Sequence, residues 1–309
     1  MFKDVVTRRG LLLFIAMCVI WGIPYLLIRV SVSELSPATL VFVRTGIAAL
    51  VLMPIVLMRG GLRGIGGWWL PLLAYTAVEV GVPWYLLSSA EQRITSSLAG
   101  LLVSAVPLLG VVVGPLFGNR DSIGRTGVTG LLIGLLGVAA IVGFDLRASE
   151  MTALVEVALV AVGYAVGPAI LNRYLKGVPS MSVVGLSLAL CAIVYAPFAL
   201  SQWPHTLPGT NVIASVAVLA LLCTAFAFLL YFALIAEVGP VRATVITYFN
   251  PAVAALLGVA VLHESFTLGM GVGFALVLVG STLATRRKPQ AAPAAQGGEV
   301  VPSRPQGRP

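Results

Sequence analysis

Two charged side chains lie deep within apolar runs of this chain, Arg44 in PATLVFVRTGIAAL and Glu79 in YTAVEVGVPWYL. A charge near the centre of a membrane helix costs about 3 kcal/mol to insert, so neither should face lipid. A buried guanidinium is suited to attract an anionic substrate group. A buried carboxyl is suited to bind a proton or a cation. At 1.5 Å per residue, Arg44 lies about 10 Å and Glu79 about 13 Å below the same face of their runs. At that depth the two could instead pair as a structural salt bridge, or Arg44 could snorkel outward. Neither has a charged counterpart in the second half of the chain, where the matching positions fall near Leu186 and Ala225. That asymmetry favours substrate or ion handling over a purely structural pair.

Polar residues also gather around two mid-run prolines. Ser104 precedes Pro107, and Thr247, Tyr248 and Asn250 precede Pro251. Proline cannot donate to the carbonyl four residues back. A kink at each is therefore expected to free the carbonyls of Val103 and Thr247, which is tolerated only inside protein or beside a wet cavity. Trp21 and Tyr25 are one helical turn apart and could line a cavity wall, although an interfacial aromatic belt would use the same residues.

Catalytic arrangements are missing. The histidines are His205 and His263, and no HExxH, GxSxG, Walker or Rossmann pattern occurs. Cys18, Cys191 and Cys223 sit inside apolar runs without metal-ligand spacing. No enzyme activity, cofactor or metal is expected. The net charge of +8 comes from short loops and tails. It forms no basic helix face with stacking aromatics, so nucleic acid is not an expected partner.

These residues must be positioned by membrane helices. The chain is 59% hydrophobic and 10% charged, with mean hydropathy +1.03, whereas soluble domains carry roughly 25% charged residues. Ten runs are long enough to span a bilayer: 10–30, 37–58, 68–88, 96–117, 125–144, 151–171, 180–200, 211–235, 241–262 and 267–285. The first is too long for a signal-peptide core and reads as a retained span. With alternating crossings, Lys3, Arg8, Arg9, Arg59, Arg63, Arg120, Arg125, Arg173, Lys176, Arg242, Arg286, Arg287 and Lys288 share one side, and Arg29, Arg93 and Arg147 the other. Basic loops stay cytoplasmic, so both termini are expected there.

The chain also echoes itself after about 144 residues. Pro24 and Arg29 match Pro168 and Arg173, Pro107 matches Pro251, and Tyr85 and Glu91 match Tyr231 and Glu237. Five spans are an odd number, so the second half enters from the opposite face. The expected fold class is an all-α integral membrane protein of ten transmembrane helices, arranged as two inverted five-helix repeats. Residues 1–147 form the first repeat and 148–288 the second, with 289–309 a disordered cytoplasmic tail. Inverted repeats of this kind are typical of secondary transporters, with substrate held near midplane between them.

This arrangement resembles the drug/metabolite transporter superfamily, specifically its EamA-type members. The resemblance covers the chain up to about Lys288. It rests on Trp21-Gly22, Phe42-Val43-Arg44 followed by Ala48, Ser96-Ser97-Leu98-Ala99 leading to Pro107, and Thr244 to Pro251 leading to Glu264. It implies ten helices in two inverted repeats and export, in some branches import, of small metabolites such as amino acids. The chain departs from the acidic ending of both repeat motifs. The second ends in His263-Glu264, but the first ends in Asn119-Arg120. The expected function is a secondary active transporter in the cytoplasmic membrane, exporting an amino-acid-like or drug-like metabolite by alternating access, with proton or ion coupling at Glu79. The alternative is a non-transporting membrane receptor or assembly protein, against which the repeat and the lack of a sizeable loop domain argue.

Overall fold

The computed structural model describes residues 7–62, 65–118, 124–143 and 148–285. Among these, ten helices are long and apolar enough to cross a membrane: α1 Arg8–Ser31, α2 Pro37–Met58, α3 Trp69–Ala90, α4 Ser96–Phe117, α5 Arg125–Val142, α6 Glu150–Tyr174, α7 Ser180–Ser201, α8 Thr210–Val238, α9 Thr244–Leu262 and α10 Leu268–Thr285. The boundaries fall within three residues of those read from hydropathy. No strand occurs among the described residues. In hydrocarbon the backbone has no water to bond to, so a long apolar run satisfies its peptide groups internally as a helix. Local signals set the starts. Thr7, Ser36 and Thr95 each accept a backbone N–H from the first turn of the helix that follows.

Consecutive helices cross in alternating directions. Contacts between distant loops define two ends of the bundle. On the N-terminal face, Thr7 donates to Glu237 and Trp68 packs beside Gly177. On the opposite face, the Gly209 N–H donates to Glu34 (2.7 Å), and Arg29 donates to the main-chain carbonyl of Glu91. Arg8, Arg9, Arg59, Arg125, Arg173, Lys176 and Arg242 lie toward the N-terminal face, and Arg29 and Arg93 toward the opposite one. The other loop and tail basic residues, and the 289–309 tail, lie outside the described residues.

Helices of the first half pack mainly on helices of the second: α1 on α8, α2 on α7, α3 on α6, α4 on both α6 and α9, and α5 on α10. Glycines make the α5–α10 approach close. A Cβ on Gly137 would sit 2.6 Å from the Gly273 carbonyl oxygen, and one on Gly130 would sit 2.5 Å from the Ala284 nitrogen. Large apolar side chains such as Leu50, Leu70, Leu135 and Leu256 remain exposed on the outside of the bundle, which is the face that lipid covers.

Several spans are not continuous α-helices. Both α3 and α8 contain a six-residue π segment, Thr76–Gly81 and Leu221–Phe226. Three other spans break just before a proline, two of them, α4 and α9, where Pro107 and Pro251 were expected to kink the helix. α1 is divided at Trp21-Gly22, α4 at Ser104-Ala105 and α9 at Phe249. In each case the proline, Pro24, Pro107 or Pro251, falls in the first turn of the segment that follows. The missing N–H is one that a helix start leaves unpaired anyway. The expected kinked helices are therefore short helices joined end to end. Pro54, Pro168 and Pro197 do lie inside uninterrupted helices.

Gly137→Val should lower stability by about 1–3 kcal/mol through overpacking, read as an earlier thermal unfolding midpoint in detergent. Gly110→Ala, where nothing lies within 4 Å of a new Cβ, should leave the midpoint unchanged or raise it slightly.

Candidate functional site

Arg44 points into the bundle from α2 and is 7% exposed. Its guanidinium carbon stacks 3.6 Å from the ring centroid of Trp84 on α3, and its Nε donates to Thr224 Oγ1 on α8 at 2.9 Å. Thr224 is held in turn by the π segment of α8, donating to the Leu219 carbonyl five residues back at 2.8 Å. A π turn leaves such a carbonyl without its usual helical donor. The hydroxyl takes that carbonyl and then receives the arginine. Nη1 and Nη2 of Arg44 make no hydrogen bond to any described residue. The site is thus a cation on an aromatic face with the end of its donor fork free, the geometry that accepts a carboxylate or phosphate in two-point fashion.

Glu79 does not pair with Arg44. It lies in the π segment of α3 and presses against α6, where a Cβ at Gly167 would collide with its carboxylate. Its Oε2 is shielded from solvent and has no hydrogen-bond partner. Gly163, one turn earlier on α6, makes similar room for the Val78 carbonyl and Pro83. The Gly163/Gly167 pair is thus a seat for the irregular segment of α3. The rest of that segment is stitched to α7. Tyr195 donates to the Gly81 carbonyl (3.0 Å), and Thr76 bonds Ser187 (2.9 Å).

Residue 168, next to the Glu79 seat, lines a cavity of about 660 Å³ on the N-terminal face. Its walls come from α4 (Gly114, Phe117) and the end of α6 (Pro168, Asn172, Arg173), with Lys176 beyond.

The remaining expected residues divide between this centre and the helix breaks. Tyr25 is buried under Gly100 of α4. Trp21, one turn before it, turns onto Tyr231 and Phe228 of α8, with ring centroids at 4.7 and 5.9 Å. The two do not form one wall. Ser104 is buried and bonds back to the Leu101 carbonyl of its own helix. Thr247 is exposed and does the same to Thr244 (2.8 Å). Asn250, with its amide oriented to donate, reaches the carbonyls of Cys18 (3.1 Å) and Ile246 (2.9 Å), tying the break in α9 to α1. Tyr248 is half-buried, and Pro251 is buried.

Tyr164 of α6 was missed from the sequence. It packs against both the core that holds Tyr25 and the core that holds Trp84. The larger omission is Glu264. Its carboxylate receives four hydrogen bonds at the start of α4: Ser96 N and Oγ on Oε1 (2.8 and 3.0 Å), and Ser97 N and Oγ on Oε2 (2.9 and 2.6 Å). A carboxylate at a helix N-terminus satisfies unpaired N–H groups and meets the positive end of the dipole. His263 delivers it, closing α9 in a left-handed turn (φ 55°) that its residue type tolerates better than most. Asn119 and Arg120, the matching pair in the first half, lie outside the described residues. Among the described residues no three His, Cys, Asp or Glu side chains gather as a metal site.

The fold and its polar interior can be set beside known proteins. The EamA-like transporter family matches the chain twice, over residues 8–143 and 151–286. The chain belongs to this family. It is similar to the uncharacterized inner membrane transporter YedA of Escherichia coli strain K12, 29% identical over 85% of this chain and 88% of the relative. It is also similar to an uncharacterized transporter of Archaeoglobus fulgidus, 27% identical over 87% and 95%. One solved crystal structure matches with a TM-score of 0.65 at 23% identity, covering 89% of this chain and 97% of that one, a likeness of fold. With its ten spans, this EamA member is a multi-pass protein of the cell membrane and a membrane transporter.

Glu264→Ala should cost about 2 kcal/mol by stripping acceptors from two buried helix-start N–H groups, and Ser97→Ala about 1 kcal/mol. Thermal unfolding in detergent would order the two. An equal or reversed order would remove Glu264 as the principal cap of α4.

Proposed function

We propose that this EamA member is a secondary active transporter that exports a small metabolite, amino-acid-like or drug-like, across the cytoplasmic membrane by alternating access. The single observation carrying this function is the Arg44 centre. A buried cation is costly in hydrocarbon, yet this one leaves the end of its donor fork unused. An anionic group on the substrate would complete it, with Trp84, Tyr25 and Tyr164 around it. Glu79, unpartnered beside the seat in α6, is the proton or cation site of the cycle. The helix breaks near Ser104, Pro107, Thr247, Tyr248, Asn250 and Pro251 are where α4 and α9 would flex, and Trp21 would carry motion of α1 to α8.

Two inverted repeats, 1–147 and 148–288, with both termini in the cytoplasm, are part of the same proposal. The double family match and the pairing of first-half with second-half helices support the repeat. The bias of basic residues to the N-terminal face supports the orientation. The cavity on that face, together with the Glu264 and Glu34 contacts on the other, fits a conformation open toward the cytoplasm.

Comparing metabolites inside and outside cells with and without the gene should show one compound retained inside the deletion strain. For that compound, Arg44→Ala should cut flux into proteoliposomes at least about tenfold, equivalent to about 1.4 kcal/mol, and Arg44→Lys should rescue it poorly. Glu79→Gln should abolish pH-gradient-driven flux with expression intact. Undiminished proton-driven flux in that variant would remove Glu79 from coupling.

A further inference from the structure

Glu91 follows the last residue of α3 on the opposite face. Its side chain is 0% exposed, and neither carboxylate oxygen has a hydrogen-bond partner. The Arg29 guanidinium of α1 comes close but donates to the main-chain carbonyl of Glu91, leaving the carboxyl unserved. An ionised carboxylate buried without donors is strongly disfavoured against its neutral form. The groups facing it are Arg29 and Tyr25 on α1, Arg44 on α2, Tyr164 on α6 and Glu264 beyond α9. The two arginines favour the charge and Glu264 opposes it. Burial outweighs the arginines and holds the Glu91 carboxyl well above the usual range.

The contrast with Glu237 is informative. That residue ends α8 as Glu91 ends α3, but on the N-terminal face. It is half-buried and accepts the Thr7 hydroxyl. The two matching carboxyls therefore sit in different environments at the two ends of the bundle. The sealed end is the one where the carboxyl is dry and unpaired. There Glu264 holds Ser96 and Ser97, and Glu34 holds the Gly209 N–H.

We propose that Glu91 is a proton-binding site that latches the opposite face, carrying a proton while that face is sealed and releasing it to the adjoining water when that face parts. The latch rests on the alternating-access function above. The sign follows from the environments. The sealed state holds the proton more tightly than the parted state, so acid favours sealing. As pH rises through the raised Glu91 value, that preference is lost.

The test uses the full chain in lipid nanodiscs, with no substrate. A cysteine at Leu101, which is fully buried in the half of α4 near the opposite face, is labelled with a membrane-impermeant maleimide across a pH series, in a chain whose Cys18, Cys191 and Cys223 are replaced by alanine. Rates are divided by those of a cysteine at Leu207, which is exposed on the same face, to remove the intrinsic pH dependence of the thiol. The normalised rate should rise several-fold with pH. In Glu91→Gln it should stay low throughout. A Glu91→Gln protein with the parent's pH dependence overturns the proposal. Should that variant fail to fold, infrared spectra of a chain that keeps Glu91 still decide. A protonated-carboxyl stretch should persist at neutral pH in Glu79→Gln, where only Glu79 has been removed, and titrate together with the labelling. Its absence overturns the proposal. Flux with pH-independent labelling would sink the latch and spare the transport function. The reverse result, labelling that follows pH without flux of any metabolite, would sink the transport function and spare the proton site.

Discussion

A peptide group in hydrocarbon has no water to fall back on, so each departure from the α-helix must be met by another protein group. That constraint organises the interior of this chain. The π segment of α3 is met by Tyr195 of α7, which donates to the Gly81 carbonyl. The π segment of α8 is met by its own Thr224. The break in α9 is met by Asn250, which reaches across to α1, and the break in α4 by Ser104. The position of Arg44 follows from one of these repairs, because the hydroxyl that receives it is the one the π turn recruits. The buried arginine and the helical irregularity are linked here through named hydrogen bonds.

The same residues explain which packing is rigid and which is not. α5 and α10 meet through glycines at distances that leave no room for a methyl group. They contribute none of the Arg44, Glu79 or Glu91 surroundings. The other eight helices carry the breaks, π segments and charged groups. Regular, close-packed helices suit a fixed outer wall, and locally weakened ones suit the elements that move.

Much of the fold was legible because hydropathy reports the solvent around a segment. The ten runs could therefore be counted from apolar length, and all ten recur as membrane-length helices. Arg44 and Glu79 stood out for the same reason. Their partners were not legible. Depth along a helix can be counted from sequence, but azimuth cannot once the helical register slips. One extra residue in a turn rotates everything after it by about 100°. The π segment of α3 introduces such a slip between Glu79 and the N-terminal end of its helix. Two residues at similar depth thus faced different neighbours, Glu79 toward α6 and Arg44 toward Trp84 and α8. Glu264 was visible as the end of a repeat motif. Its reach to Ser96 and Ser97 depends on a left-handed turn at His263 that hydropathy does not encode. Glu91 stood out only as the match of Glu237, because nothing local to it reveals burial supplied by distant segments.

The contact between Arg44 and Thr224 has a consequence for assembly. The family match covers each half of the chain separately, over residues 8–143 and 151–286. The position in α3 corresponding to Thr224 is Val78, and the position in α8 corresponding to Glu79 is Ala225. The arginine and the acid come from one half, and the hydroxyl that anchors the arginine comes from the other. Two identical copies of either half could not assemble this centre. The contact needs both halves of the chain, because Arg44 and Thr224 lie on opposite sides of its midpoint.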